Sequence, residues 1–146
     1  MDGGAGGSTG GGADGAANGG TGGSAVFSYS VTLNGTQEGL SVTGTGTATV
    51  MLNQTTGAVT VTGSFTGLTG AATAAHIHGL ATPPATAAVL LTLTPTAATA
   101  GTLMGSGTLN STDVTGMIAG MTYLNIHTAA NPAGEIRGDI NAQGAP

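Results

Sequence analysis

From Ala25 onward the chain is written in short runs with a period of two, and no other feature narrows its fold as far. In VFSYSVTL, alternation puts Phe27, Tyr29, Val31 and Leu33 on one face; TATVML offers Ala48, Val50 and Leu52, AVTVTGSF offers Val59, Val61 and Phe65, and AVLLTL offers Val89, Leu91 and Leu93. Successive side chains of a strand point to opposite faces, so each run supplies one face for a core and one for solvent. Gly, Asn and Pro break the runs, and further strands are expected over 102–109, 122–128 and 135–140. The exception is STDVTGMIAGM, where Ser111 or Thr112 is expected to cap one or two helical turns. The pattern is that of an all-β antiparallel sandwich or barrel. With two Phe, two Tyr and no Trp, its core must be built from Val, Leu, Ile and Ala.

Residues 1–24 read differently: half of them are glycine, and only Met1 is hydrophobic beyond alanine. Such a segment cannot bury enough apolar surface to offset its ordering entropy, so it is expected to be a disordered tether preceding a domain over 25–146. Its glycines do not follow a strand or open a helix, which argues against a phosphate-cradling loop. The segment resembles the spacer that follows the lipidated cysteine of bacterial surface lipoproteins, which implies a lipid anchor in the precursor.

Charge and cysteine content exclude whole classes of function. Six acidic residues face a single cation, Arg137, for a formal charge of -5. Nucleic-acid binders need Lys and Arg to neutralise phosphates, and peripheral membrane proteins need them for anionic lipid. The chain has no cysteine, so thiol catalysis, thiolate metal sites and disulfides are absent, and histidine is the one strong nitrogen ligand available. No apolar run approaches the roughly 18 residues of a spanning helix.

Two of the three histidines stand one residue apart in AAHIHG, at 76 and 78; the third is in YLNIHT, at 127. In a strand, residues i and i+2 share a face. Ile77 belongs in a core, so His76 and His78 face outward together; Leu124 and Ile126 likewise turn Tyr123, Asn125 and His127 outward. Two imidazoles from one strand and a third from a neighbour make a three-nitrogen metal site with an open position. The plainer alternative is three exposed histidines that brace loops.

The turn signals of TAANPAGE centre on Asn131 and Pro132, so YLNIHT and EIRGDI are expected to form a hairpin that sets His127 opposite Glu135 and Asn125 opposite Arg137. Glu135 is then a candidate to fix the tautomer of His127, with Arg137 and Asn125 beside it around the site. An ordinary ion pair between Glu135 and Arg137 is the competing account. Met51, Met104, Met117 and Met121 read as core filler rather than copper(I) ligands, and the NGT, NQT and NST sequons are ordinary in a Thr-rich chain. No serine sits in a nucleophile-elbow context, and no paired carboxylates stand out.

LNGTQEGL (33–40), GTGTATVML (44–52), FTGLTGAATAAHIHGLA (65–81) and above all YLNIHTAANPAGEIRGDI (123–140) resemble the chordin-type, or CHRD, domain. The resemblance covers essentially all of the chain after residue 24. Two departures are local: Gly39 and Leu40 replace a small hydrophobic residue and Pro, and Asp139 replaces Gln. It implies an extracytoplasmic domain, secreted, periplasmic or surface-tethered, with an immunoglobulin-like β-sandwich related to copper/zinc superoxide dismutase. In that enzyme a strand-borne His-X-His and a distant C-terminal His hold copper outside the barrel, which corresponds to His76, His78 and His127. The further histidines and aspartate of its zinc site are missing here, so ordinary two-metal dismutation is not expected. Three readings follow: a copper-binding domain, copper being preferred to zinc by the divalent affinity order; a copper-only dismutase-like enzyme with Arg137 guiding an anion, against which the charge of -5 counts; and a metal-free adhesive module that binds other extracellular proteins.

Overall fold

The computed structural model describes residues 25–141; the expected tether over 1–24 lies outside the described residues. Eight strands form one closed antiparallel barrel: β1 (Val26–Asn34), β2 (Thr45–Asn53), β3 (Ala58–Thr66), β4 (Ala72–Gly79), β5 (Val89–Pro95), β6 (Gly101–Thr108), β7 (Thr122–Thr128) and β8 (Ile136–Ile140). Around the barrel they run β1-β2-β3-β6-β5-β4-β7-β8, so the connections β3 to β4 and β6 to β7 are crossovers. A 3-10 turn over Thr36–Glu38 follows β1, and helix α1 (Ser111–Ile118) lies in the second crossover. No helix among the described residues is long and apolar enough to cross a membrane.

The alternation behaves as the sequence predicts through most of the barrel. Tyr29, Val31 and Leu33 of β1, Val50 and Leu52 of β2, Val59, Val61 and Phe65 of β3, Leu103 of β6, and Leu124, Ile126, Ile136 and Ile140 of β7 and β8 form one buried cluster. Each such aliphatic side chain contributes on the order of 1.5–3 kcal/mol by leaving water.

Met51 and Met104, expected as core filler, are 43% and 56% exposed, because Val50, Leu52 and Leu103 beside them take the inward face. Two further local expectations fail, each for a physical reason. Val89 is 48% exposed, whereas the period-two reading put it on the face of Leu91 and Leu93. Ile77 pairs with Leu91 and His78 with Val89, so Leu90 is an extra residue in β5; this bulge reverses the parity at its start. Helix α1 is capped by Asn110, whose Oδ1 accepts from the Asp113 amide at 2.8 Å, in place of Ser111 or Thr112. Asparagine with extended backbone caps as well as serine does. The helix turns Val114 and Met117 into the core.

Closure depends on β8 coming close to β1, where Asn34 is registered against Arg137. Gly138 points inward between Ile136 and Ile140, and a Cβ there would run into the Thr32 carbonyl and lie 2.6 Å from Val31 Cγ1. Only a residue without a side chain lets these strands meet. We expect Gly138→Ala to lower stability by about 1–3 kcal/mol, read as a reduced urea midpoint at unchanged slope; an unchanged midpoint would show that β8 can retreat without cost.

Candidate metal centre

The strands β4 and β7 are neighbours, and their register assembles the histidines. His76 lies directly opposite Asn125, His78 opposite Tyr123 and Ala74 opposite His127, in one unbroken register that shifts only beyond Ala74, at a bulge before Ala72 pairs with Thr128. His127 is therefore the diagonal neighbour of His76, and Asn125 that of His78, both within reach across an antiparallel pair. One ring nitrogen from each of His76, His78 and His127 falls within 4.8 Å of the others. The closest approach is His76 Nδ1 to His127 Nε2, at 3.0 Å.

All three histidines lie outside the barrel wall, but that face is not open to solvent as outward parity alone suggests. His78 and His127 are buried, and every residue of β7 is buried. Residues 80–88 and the turn over 128–134 fold over this face. Each supplies a backbone carbonyl to one imidazole. Ala87 O lies 2.9 Å from His78 Nδ1, and Pro132 O lies 2.9 Å from His127 Nδ1. A carbonyl only accepts, so the Pro132 contact puts the ring proton of His127 on Nδ1 and leaves its Nε2 to accept from His76 Nδ1. The second nitrogen of His78 meets Asn125 Oδ1 at 3.0 Å. The His78 ring also stacks on Tyr123, with centroids 4.8 Å apart and planes 7° apart.

The two covering loops are each tied down by one buried charge from the GEIRG segment. The Glu135 carboxylate accepts from the Thr69 amide (2.8 Å), Thr69 Oγ1 (2.6 Å), Thr128 Oγ1 (2.7 Å) and Asn131 Nδ2 (2.9 Å). Burial raises the pKa of Glu135, but these hydrogen bonds outweigh it and hold the carboxyl below its ordinary range. Arg137 donates from Nη1 to the carbonyls of Pro84 (3.2 Å) and Ala85 (3.1 Å) and lies 3.6 Å above the centre of the Tyr123 ring. Its Nε donates to Asp139 Oδ1 at 3.0 Å; Nη2 is equally close to that oxygen but without hydrogen-bond geometry.

These positions correct three expectations. The hairpin register is as predicted, Asn125 opposite Arg137, yet the ladder ends at Ile126 and Ile136 and Glu135 turns to Thr69, Thr128 and Asn131 rather than to His127. Glu135 thus reaches His127 only through the turn that carries Pro132. The ion partner of Arg137 is Asp139, not Glu135. Arg137 is 2% exposed and committed to Asp139, Pro84 and Ala85, so it does not offer a steering cation to an incoming anion.

Asn125 is 2% exposed and lies amid the site, its Nδ2 donating to Glu38 Oε2 at 3.2 Å. Sequence reasoning missed Glu38, Tyr123 as a stacking partner, and the carbonyls of Ala87 and Pro132. A carbonyl carries no signature in residue type, and Glu38 is 87 residues from its partner. Burial first, then the proximity of His127 and His78, lowers the pKa of His76, which favours the neutral form that a ligand must have.

Comparison with curated proteins and with solved structures gave no match. The model of the CHRD domain matches residues 29–140, a span that begins in β1, ends in β8 and contains all three histidines with both charges that tie their loops; the chain belongs to the CHRD domain family.

Proposed function

We propose that this domain binds one copper ion per chain through His76 Nδ1, His78 Nε2 and His127 Nε2, outside the cytoplasm. The observation that carries the reading is the convergence of three ring nitrogens within 4.8 Å, two of them 3.0 Å apart. Two donors bound at about 2.0–2.1 Å to a common ion are separated by such a distance. Among divalent ions on nitrogen ligands, copper stands highest in affinity, ahead of zinc. Bound copper would supply a one-electron centre with a coordination position left for a small ligand. The chain's own residues do the rest: Ala87 and Pro132 orient two imidazoles, and Glu135 and Arg137 hold the loops that carry those carbonyls. The extracytoplasmic setting follows from the family resemblance, in which such domains act in extracellular proteins.

The test is titration with Cu(II) of protein purified without an affinity tag. One equivalent is expected to give an electron paramagnetic resonance spectrum with nitrogen hyperfine structure. Each His→Ala change removes a ligand and is expected to cost more than the roughly 10–100-fold typical of an outer-shell residue. Absence of a nitrogen-ligated site, or a triple alanine variant that binds as tightly as the parent, would favour an adhesive module whose histidines only brace loops.

Glu135→Gln keeps the size of the side chain but leaves an amide against the four donors of Thr69, Thr128 and Asn131. The turn should loosen around Pro132, and copper affinity should fall about 10–100-fold without being abolished. Unchanged affinity would mean that the turn holds its shape without the carboxylate.

The metal-free domain should lose stability on acidification. His76 is depressed from 6.5, so the unfolded chain takes up its proton first and stability falls as pH drops below about 6.5. Glu135 is depressed from 4.5, so its contribution is complete above that value and is lost as pH falls further through its folded pKa. Urea midpoints measured from about pH 7 to about pH 3, which passes below the ordinary range of both groups, should decline throughout, and Glu135→Gln should flatten the acid end. A midpoint that rises on acidification would contradict both assignments.

A further inference from the structure

The site as it stands engages all three ligating nitrogens: His76 Nδ1 donates to His127 Nε2 at 3.0 Å, and His78 Nε2 lies against Asn125 Oδ1. His78 has an acceptor at each ring nitrogen, Ala87 O at 2.9 Å from Nδ1 and Asn125 Oδ1 at 3.0 Å from Nε2, and a neutral ring has one proton for the two; the tautomer that donates to Asn125 carries it on Nε2. A nitrogen engaged in that way has no lone pair for a metal. For His78 to ligate, it must part from Asn125.

The orientation of Asn125 is imposed from outside the histidine cluster. Its Nδ2 donates to Glu38 Oε2, and a carboxylate only accepts, so the amide nitrogen is held toward Glu38 and the amide oxygen toward His78. The seat of Glu38 is built into the fold. Gln37, its neighbour in the 3-10 turn, donates from Nε2 to the Thr32 carbonyl at 3.3 Å, and its Oε1 accepts from the Asp139 amide at 3.2 Å, which fixes the turn across β1 and β8. Gly134 has φ 130, and a Cβ there would run into Glu38 Oε2 and lie 2.8 Å from Asn125 Nδ2. A side chain at 134 would expel the carboxylate from the amide it holds.

We propose that Glu38, acting through Asn125, latches the ligating nitrogen of His78 and so sets the affinity of the site. The proposal rests on the three-histidine reading above. It makes Glu38 a positioning residue whose effect runs against simple electrostatics: a carboxylate near a divalent cation should strengthen binding, whereas a latch weakens it.

The sign decides. Titration of the full chain with Cu(II) against a competing chelator should show Glu38→Ala binding about 5- to 10-fold tighter than the parent, the worth of one hydrogen bond that no longer has to be broken. Glu38→Gln retains an oxygen that can accept from Asn125 and should stay within about threefold of the parent. Weaker binding by both variants would show that Glu38 acts by charge, and unchanged affinity in Glu38→Ala would show that Asn125 needs no holding; either overturns the latch. A second arm uses metal-free protein. Nitrogen-15 spectra should show a proton on His78 Nε2, slow to exchange, in the parent and in Glu38→Gln but not in Glu38→Ala. Persistence of that signal in a folded Glu38→Ala also overturns the proposal. Should the parent bind no copper through nitrogen, the three-histidine reading fails on the first arm while the second still tests the contact between Asn125 and His78.

Discussion

Two opposite charges buried one residue apart, Glu135 just before the last strand and Arg137 within it, organise the functional face of this barrel. Burying an ionised group is costly unless its hydrogen-bonding capacity is met. Glu135 meets it with Thr69, Thr128 and Asn131, and Arg137 with Asp139, Pro84 and Ala85. Neither relies on the other. Because most of those partners belong to loops, satisfying the charges fixes the loops. The turn over 128–134 is held to the connection between β3 and β4 by Glu135, and residues 80–88 are held over β7 by Arg137. The carbonyls of Pro132 and Ala87 are then placed where His127 and His78 need them. The barrel supplies the register that gathers three imidazoles, and the loop carbonyls orient two of them.

Much of this was legible in the sequence because strand parity is a strict constraint. Ile77, Leu124 and Ile126 must face the core, and that alone puts His76, His78, Asn125 and His127 on one exterior face. The turn centred on Asn131 and Pro132 correctly paired Asn125 with Arg137. What parity cannot report is cover. Tyr123, Asn125 and Arg137 point away from the core and are nonetheless buried, because loops distant in sequence close over them. Nor does parity survive a bulge, which is why Val89 faces solvent. Glu135 was expected beside His127, but its carboxylate turns to Thr69, Thr128 and Asn131, the last two in the turn that carries Pro132. The partners that orient the rings are backbone oxygens, which any residue can supply.

The donor set is mixed, His76 offering Nδ1 where His127 offers Nε2. That asymmetry follows from the register: His76 meets His127 on the diagonal, while the Nδ1 atoms of His78 and His127 are claimed by loop carbonyls. It also makes the site responsive to its surroundings. Thr69, Asn131, Pro84 and Glu38 each bond a residue or loop that borders the histidines without touching an imidazole themselves. For an acidic chain with a single buried cation, this arrangement suits a bound metal cation better than an anionic substrate.

The most direct test of the central claim is X-ray absorption at the copper edge on the loaded, untagged domain, compared with His78→Ala. The account predicts three imidazole ligands at about 2.0 Å in the parent and two in the variant, whose third nitrogen is gone. A parent spectrum with a single imidazole or with oxygen ligands alone, or one unaffected by the loss of His78, would contradict it.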